Sequence, residues 1–303
     1  MQLAMIGLGR MGGNMARRLS RAGHSVVGVD RDPAVAKRLE QEDGVVPAAT
    51  VAEAIGRLEA PRVVWLMLPA GEITEQTLKE MIPLLEPEDI VIDGGNAWYR
   101  DSIRRGQMLA EHGIRYADAG TSGGVCGLDN GYCMMVGAEA SVFRTIEPVI
   151  RALAPGEDRG WAHVGPVGSG HFTKMVHNGI EYGMMQAMAE GLAILKAKEE
   201  FALDLAQITE MWRHGSVVRS WLLDLTAEAF AQDQELADIA PVVADSGEGR
   251  WTVLEAVELG VAAPVIAGSL WTRFDSQDDE AYGNRVLAIM RRAFGGHAIT
   301  KGD

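Results

Sequence analysis

Cysteine is nearly absent from this chain. Its 303 residues include two, Cys126 and Cys133. Their spacing matches neither a C-x-x-C redox pair nor a zinc framework, so both read as small buried apolar residues. That pattern fits a reducing, cytoplasmic setting. Basic residues are also scarce. The 28 Lys and Arg against 42 Asp and Glu leave a net charge of −14. Such a balance argues against nucleic acid or an anionic membrane as partner. It does not exclude an acidic substrate, because a few local cations can hold one. Long hydrophobic runs are missing too. The charge-free stretch 259–272 contains Pro264 and falls short of the about 20 residues a bilayer span needs. The N-terminus opens on a strand pattern without a signal peptide. There is no low-complexity segment and no internal repeat. What remains is ordinary globular composition, 47% hydrophobic and 23% charged, in a length that suits two domains.

The first half reads as a cofactor platform. Gln2-Leu3-Ala4-Met5-Ile6 is a short buried strand running into Gly7-Leu8-Gly9-Arg10-Met11-Gly12. A helical stripe of Met15, Ala16, Leu19 and Ala22 follows, stopped by Gly23. The next strand ends at Asp30. The order strand, G-x-G-x-x-G, helix, strand, acid has a physical reason. Gly7 makes the tight turn, Gly9 lets the backbone approach a pyrophosphate, and Gly12 packs helix against strand. The helix N-terminus then faces the phosphates. In that context the motif is a strong dinucleotide signal. A carboxylate at Asp30 accepts hydrogen bonds from a ribose 2′-OH and repels a 2′-phosphate. Arg31 beside it could stack on adenine or tolerate phosphate. NAD is therefore the expected cofactor, with NADP the weaker alternative.

The alternation of strand and helix continues. Thr50-Val51-Ala52-Glu53 is a capping box. Residues 62–68 form a buried strand ending at Pro69 and Ala70. A helix over 77–85 precedes the strand Ile90-Val91-Ile92, which ends at Asp93-Gly94-Gly95-Asn96. Ligands bind where parallel strands end at their carboxyl side. Leu68, Pro69, Ala70 and Asn96 are candidate contacts on that ground. Ala117-Asp118-Ala119-Gly120-Thr121-Ser122-Gly123-Gly124 follows another short strand as a loop. The glycines after Ser122 expose N–H groups suited to a carboxylate.

Beyond about residue 165 the strand pattern stops, and Gly165-Pro166-Val167-Gly168-Ser169-Gly170 reads as a junction. Helices are expected over 171 to about 198, 206–213, 218–230, 251–259 and 282–294. The fold class is thus an α/β Rossmann-type domain with a mostly parallel sheet, residues 1–167, followed by an all-α domain, residues 168–290, and a tail, residues 291–303. The cleft between domains is the default active site.

The most informative stretch is Lys174-Met175-Val176-His177-Asn178-Gly179-Ile180-Glu181-Tyr182. Lys174, Asn178 and Glu181 are spaced i, i+4 and i+7, so a helix puts them on one face with His177 beside them. A base, an amide and an acid converge there. Met175, Val176, Ile180, Met184 and Met185 around them suggest a closed apolar site. In the tail, Arg291 and His297 flank Phe294-Gly295-Gly296, spacing that suggests docking over fraying.

Together with Ile92-Asp93-Gly94-Gly95-Asn96, Ser122-Gly123-Gly124 and Phe294-Gly295-Gly296-His297, that stretch resembles the decarboxylating 6-phosphogluconate dehydrogenase family. The resemblance covers nearly the whole chain. His-Asn-Gly-Ile-Glu-Tyr is its most specific part; simple 3-hydroxyacid dehydrogenases share only a lysine followed four residues later by an asparagine. The resemblance implies oxidation of 6-phospho-D-gluconate to ribulose 5-phosphate and CO2, a step of the pentose phosphate pathway. It implies that Lys174 is the base and Glu181 the acid. Asn96, Ser122, Gly123, Gly124, His177 and Asn178 hold the sugar acid. Tyr182, Arg273 and Arg291 bind phosphate, with a further contact from His297. No metal is implied. The family is homo-oligomeric, dimer or tetramer, and its tail reaches the neighbouring subunit's site. A lysine base at neutral pH needs its pKa lowered from about 10.4, and a glutamic acid donor needs its pKa raised; an apolar pocket does both. Three departures stand out. The chain matches the short bacterial type with one helical repeat. Where long members carry Lys-Gly-Thr-Gly-Lys-Trp-Thr, this chain has Ser246-Gly247-Glu248-Gly249-Arg250-Trp251-Thr252, so the phosphate grip differs. Asp30-Arg31-Asp32 replaces the asparagine-led segment of NADP users, which also favours NAD.

Overall fold

The computed structural model describes residues 1–295 and 298–300. The chain divides into two compact units, Met1–His177 and Asn178–Asp303.

The first unit is built on eight strands: β1 (Gln2–Ile6), β2 (Ser25–Val29), β3 (Val46–Pro47), β4 (Val63–Leu66), β5 (Ile90–Asp93), β6 (Arg115–Ser122), β7 (Cys133–Ala138) and β8 (Trp161–Gly165). They form one sheet in the order β3-β2-β1-β4-β5-β6-β7-β8. All pairs are parallel except β6 with β7. Helices cover both faces, so the central strands are apolar on both sides, as parallel sheets require. Alternate residues serve opposite layers. Leu3, Met5, Trp65 and Ile92 pack with Met15, Leu19 and Ile146 on one side. Ala4, Ile6, Val64 and Val91 pack with Ile55, Leu78 and Leu109 on the other. Each fully buried side chain of this size is worth about 1.5–3 kcal/mol.

Strand order reverses between β1 and β4, the switch point at which doubly wound sheets bind ligands. Register then aligns the strand ends. Ile6 pairs with Leu66, Leu66 with Asp93, and Asp93 with Asp118. β6 overshoots that line by four residues and pairs its overhang with β7. Residues 117–122, expected as a loop, are therefore strand. Two other boundaries shift. β4 ends at Leu66, not 68. The helix expected over 77–85 is Glu72–Met81, followed by a 3-10 turn over Ile82–Leu84. Pro83 explains this, because proline disfavours α geometry in the residue before it.

The helix Ser169–Ala197 begins in the first unit and continues into the second. The second unit adds α-helices Leu205–Trp212, Trp221–Phe230, Glu248–Glu258, Pro264–Asp275 and Tyr282–Gly295. Ser220 sets one start later than expected by accepting a bond from the Leu223 N–H. Pro264–Asp275 was not expected at all. No described helix is long and apolar enough to cross a membrane.

Candidate active site

Four loops leave the carboxyl edge of β1, β4, β5 and β6 side by side. The first is the glycine fingerprint. Gly7 has φ 93, and a Cβ there would meet the Met67 carbonyl at 2.5 Å. A Cβ on Gly12 would collide with the Gly7 carbonyl, whereas one on Gly9 would meet nothing within 4 Å. Turn, packing contact and open approach thus fall on the three glycines as the motif requires. The helix Arg10–Arg21 has no side-chain cap on its N-terminus, so its first N–H groups are available to an anion. The Leu8 N–H donates to Asp30 Oδ2 at 2.7 Å, and the Asp32 N–H to Oδ1 at 3.0 Å. Arg31 is exposed. A cleft of about 300 Å³ beside the loop is lined by Gly9, Arg10, Asn14, Arg17, Arg38 and Val125, among others. These features fit a dinucleotide at this edge.

Leu68, Pro69 and Ala70 continue from β4. Gly7 sits against Leu68, with 3.1 Å from a Gly7 Cβ to Leu68 Cδ2. From β5, Asp93 Oδ1 accepts the Gly95 N–H at 3.0 Å and shapes the turn that carries Asn96 at φ 50. The Asn96 side chain bridges to β6. Its Nδ2 donates to the Thr121 carbonyl at 3.2 Å, and its Oδ1 accepts the Thr121 N–H at 3.0 Å. Asn96 therefore locks two strand ends together and holds Ser122 and Gly123 next to them. Asp93 is itself held by a buried ion pair with Arg105 at 3.0 Å and by the Tyr116 hydroxyl at 3.0 Å.

Lys174 is 5% exposed and lies over β6. A Cβ on Gly120 would collide with the lysine Cβ, so only glycine admits this approach. Lys174 Nζ is 3.4 Å from His177 Nδ1. Asn178 and Glu181 follow on the same helix face at i+4 and i+7, partly exposed. The apolar surround is thinner than expected. Met175 is buried, but Ile180, Met184 and Met185 are 52%, 45% and 40% exposed. They point away from the buried stripe of Met175, Gly179 and Tyr182. In the second unit, Gly179 packs on Thr252 and Gly249 on the Tyr182 ring.

Tyr182 anchors a separate cluster. Its hydroxyl is 3.2 Å from Ser246 Oγ and 3.4 Å from Asp245 Oδ1, and the Arg273 guanidinium lies 3.5 Å from its ring centroid. Arg273 also donates to the Ala244 carbonyl at 2.8 Å. Ser246 Oγ donates to Glu248 Oε2 at 2.6 Å, and Arg250 pairs with Asp245 at 2.8 Å. Burial opposes ionisation of Asp245. The Gly247 N–H, Arg250 and the Tyr182 hydroxyl outweigh it and hold the carboxyl below its ordinary value.

The structure thus brings Gly7 to Gly12, Asp30, Leu68 to Ala70, Asn96, Ser122 to Gly124, Lys174 and His177 to one edge of the first unit. Tyr182 and Arg273 meet in the second. Arg291 lies exposed on the helix Tyr282–Gly295, and His297 falls outside the described residues. Sequence reasoning missed Asp93, Arg105, Ser102, Asp118 and His171. One signal was available: Asp93 and Asp118 are charged residues inside apolar strands, which are rarely buried without a partner.

Two family models match, the NAD binding domain of 6-phosphogluconate dehydrogenase over residues 2–165 and the 6-phosphogluconate dehydrogenase C-terminal domain over residues 170–292. A Haloferax volcanii protein named NAD(+)-dependent, decarboxylating 6-phosphogluconate dehydrogenase is 41% identical over 304 residues, covering 100% of both chains. The structure of Plasmodium falciparum 6-phosphogluconate dehydrogenase superposes with a TM-score of 0.84 at 29% identity, covering 100% of this chain and 66% of that one. A Mycobacterium tuberculosis 3-hydroxyisobutyrate dehydrogenase shares the fold at 24% identity, with a TM-score of 0.70 and coverage of 92% and 94%. With the fingerprint, the strand-end turns and the lysine helix all in the places that both models span, this chain belongs to the 6-phosphogluconate dehydrogenase family.

Proposed function

We propose that the chain oxidises and decarboxylates 6-phospho-D-gluconate to D-ribulose 5-phosphate and CO2 with NAD. One observation carries this reading: a buried lysine, in contact with a histidine, lies over β6 in the unit that carries the glycine fingerprint, on a helix whose i+4 and i+7 positions are Asn178 and Glu181. NAD supplies the acceptor for the hydride from C3. Gly7, Gly9 and Gly12 with the helix N-terminus hold its pyrophosphate, and Asp30 takes the ribose hydroxyls. Leu68 to Ala70 would contact it from the end of β4. Lys174 accepts the proton of the 3-hydroxyl. Protonated, it polarises the 3-keto oxygen while the C1–C2 bond breaks and CO2 leaves. Glu181 delivers a proton to the terminal carbon of the resulting enediol. His177, Asn178, Asn96, Ser122, Gly123 and Gly124 position the sugar acid. Tyr182, Arg273 and Arg291 take the phosphate, and His297 adds a contact to it.

The protein works as a cytoplasmic homodimer or homotetramer, and its tail completes a neighbouring site. Support comes from the apolar side chains the second unit leaves exposed. Ile194, Val257, Val265 and Trp271 are 71%, 75%, 66% and 62% exposed, apolar area that a subunit contact would cover.

The acid groups around Tyr182 favour a second reading, a dehydrogenase for an unphosphorylated 3-hydroxy acid without decarboxylation. Initial rates on 6-phosphogluconate and 3-hydroxyisobutyrate separate the two. A higher kcat/KM on the phosphorylated acid is expected; the reverse order would assign the chain to the second reading.

A further inference from the structure

We infer that Asp118 is a positioning residue for Lys174: its carboxylate caps the first turn of the helix Ser169–Ala197 from β6, and the Ser102–His171 bond fastens the same turn. The inference rests on Lys174 being the base proposed above.

The first N–H groups of a helix have no intrahelical acceptor and are usually met by a side chain just before the helix. Here the cap comes from another element. Asp118 Oδ1 accepts the Gly168 N–H at 2.6 Å, and Oδ2 accepts the His171 N–H at 2.7 Å. Asp118 is 0% exposed. A carboxylate bridging two N–H groups is a charge-assisted contact aligned with the helix dipole. It ties helix to sheet as well as ending the helix.

The fit leaves no slack. A Cβ on Gly137 would meet Asp118 Oδ1 at 2.5 Å, and one on Gly170 would meet the Met135 carbonyl at 2.5 Å. The helix backbone therefore rests directly on β6 and β7. Gly120, two residues along the same strand face from Asp118, is the floor under Lys174. Cap and floor thus belong to one rigid strand. His171 precedes Lys174 by three residues on the same helix face. Its Nδ1 is 2.7 Å from Ser102 Oγ, and both residues are buried. Burial pushes the Asp118 carboxyl above its ordinary value, while His171 and the two N–H groups pull the other way. A misplacement of about 1 Å in a reacting group costs about 10²-fold in rate, so this anchoring bears on turnover.

The test uses Asp118→Asn, Ser102→Ala and Lys174→Ala in the full chain. An asparagine turns its amide toward one of the two N–H donors and breaks that half of the cap. Asp118→Asn is expected to lower kcat by about tenfold or more, with the cofactor Kd from nucleotide fluorescence within about twofold, a split that general loosening does not produce. Ser102→Ala is expected to lower kcat about threefold or more with the same unchanged Kd. Wild-type kcat in folded Asp118→Asn, or parallel loss of kcat and cofactor affinity, overturns the inference. If Asp118→Asn does not fold, an unchanged kcat in Ser102→Ala overturns it. Turnover surviving in Lys174→Ala would instead remove the proposed chemistry. Loss of turnover there with a fully active Asp118→Asn would leave the chemistry standing and remove only the positioning role.

Discussion

Both oxygens of Asp30 already carry a backbone hydrogen bond, one from Leu8 in the glycine loop and one from Asp32. Carboxylate oxygens have lone pairs to spare, so ribose hydroxyls can add to this arrangement. A 2′-phosphate meets a negative charge fixed in place. Asp30→Asn keeps one acceptor and removes the charge. The ratio of kcat/KM for NADP over NAD is expected to rise by about tenfold, equivalent to about 1.4 kcal/mol. An unchanged ratio would pass the choice to Arg31. At this scale the sequence was uneven in what it disclosed. Lys174, Asn178 and Glu181 stand out because helical spacing is written in their numbering. Asp118 does not, since its partners are backbone N–H groups that any residue supplies. Asn96 was legible as a candidate site residue, but its amide also locks β5 to β6, a job that only the register of the strands reveals.

Among the elements, the central strands and the lysine helix were readable because continuous apolar runs and 3.6-residue spacing are strong signals. The helix Tyr99–Ala110 was not, because Arg105 and Ser102 occupy buried positions that a periodicity search assigns to apolar residues. β8 is an edge strand whose middle three residues are exposed, so it lacks a buried run. Pro264–Asp275 is apolar nearly all round and shows no stripe. The same buried polar groups join elements to one another. Glu75, on Glu72–Met81, accepts two bonds from Arg104, at 2.6 and 2.8 Å, and one from Arg105 at 3.2 Å. The Arg104 bonds, followed by Arg105 and against the effect of burial, bring its carboxyl from 4.5 to about 2. The folded pKa lies below the unfolded one, so the native state binds fewer protons between them. The stabilisation is present above about pH 5 and is lost as pH falls toward 2. The gap in melting temperature between wild type and Glu75→Gln should therefore shrink from pH 7 to pH 3. A gap independent of pH would show that the pairing adds nothing to folding.

For the molecule as a whole, the net charge of −14 sits on a chain whose proposed substrate is also an anion. In the proposed assignment, binding then depends on a few placed cations, Arg273 and Arg291, and not on a general field. Both lie in the second unit, which also carries large exposed apolar side chains. Sedimentation velocity at micromolar concentration should give a mass at least twice 32.6 kDa; a single species of 32.6 kDa would contradict the proposed assembly. Domain order was legible from the change of periodicity near residue 165. The cluster proposed to take the phosphate was not, because Ser246 and Glu248 acquire meaning only beside Tyr182. The most direct test of the chemistry is stoichiometric. NADH formation and CO2 release are followed in one reaction of the purified protein with 6-phosphogluconate and NAD. Equal amounts are expected, since the ketone formed at C3 is the electron sink that expels CO2. NADH without CO2 would contradict the decarboxylating mechanism.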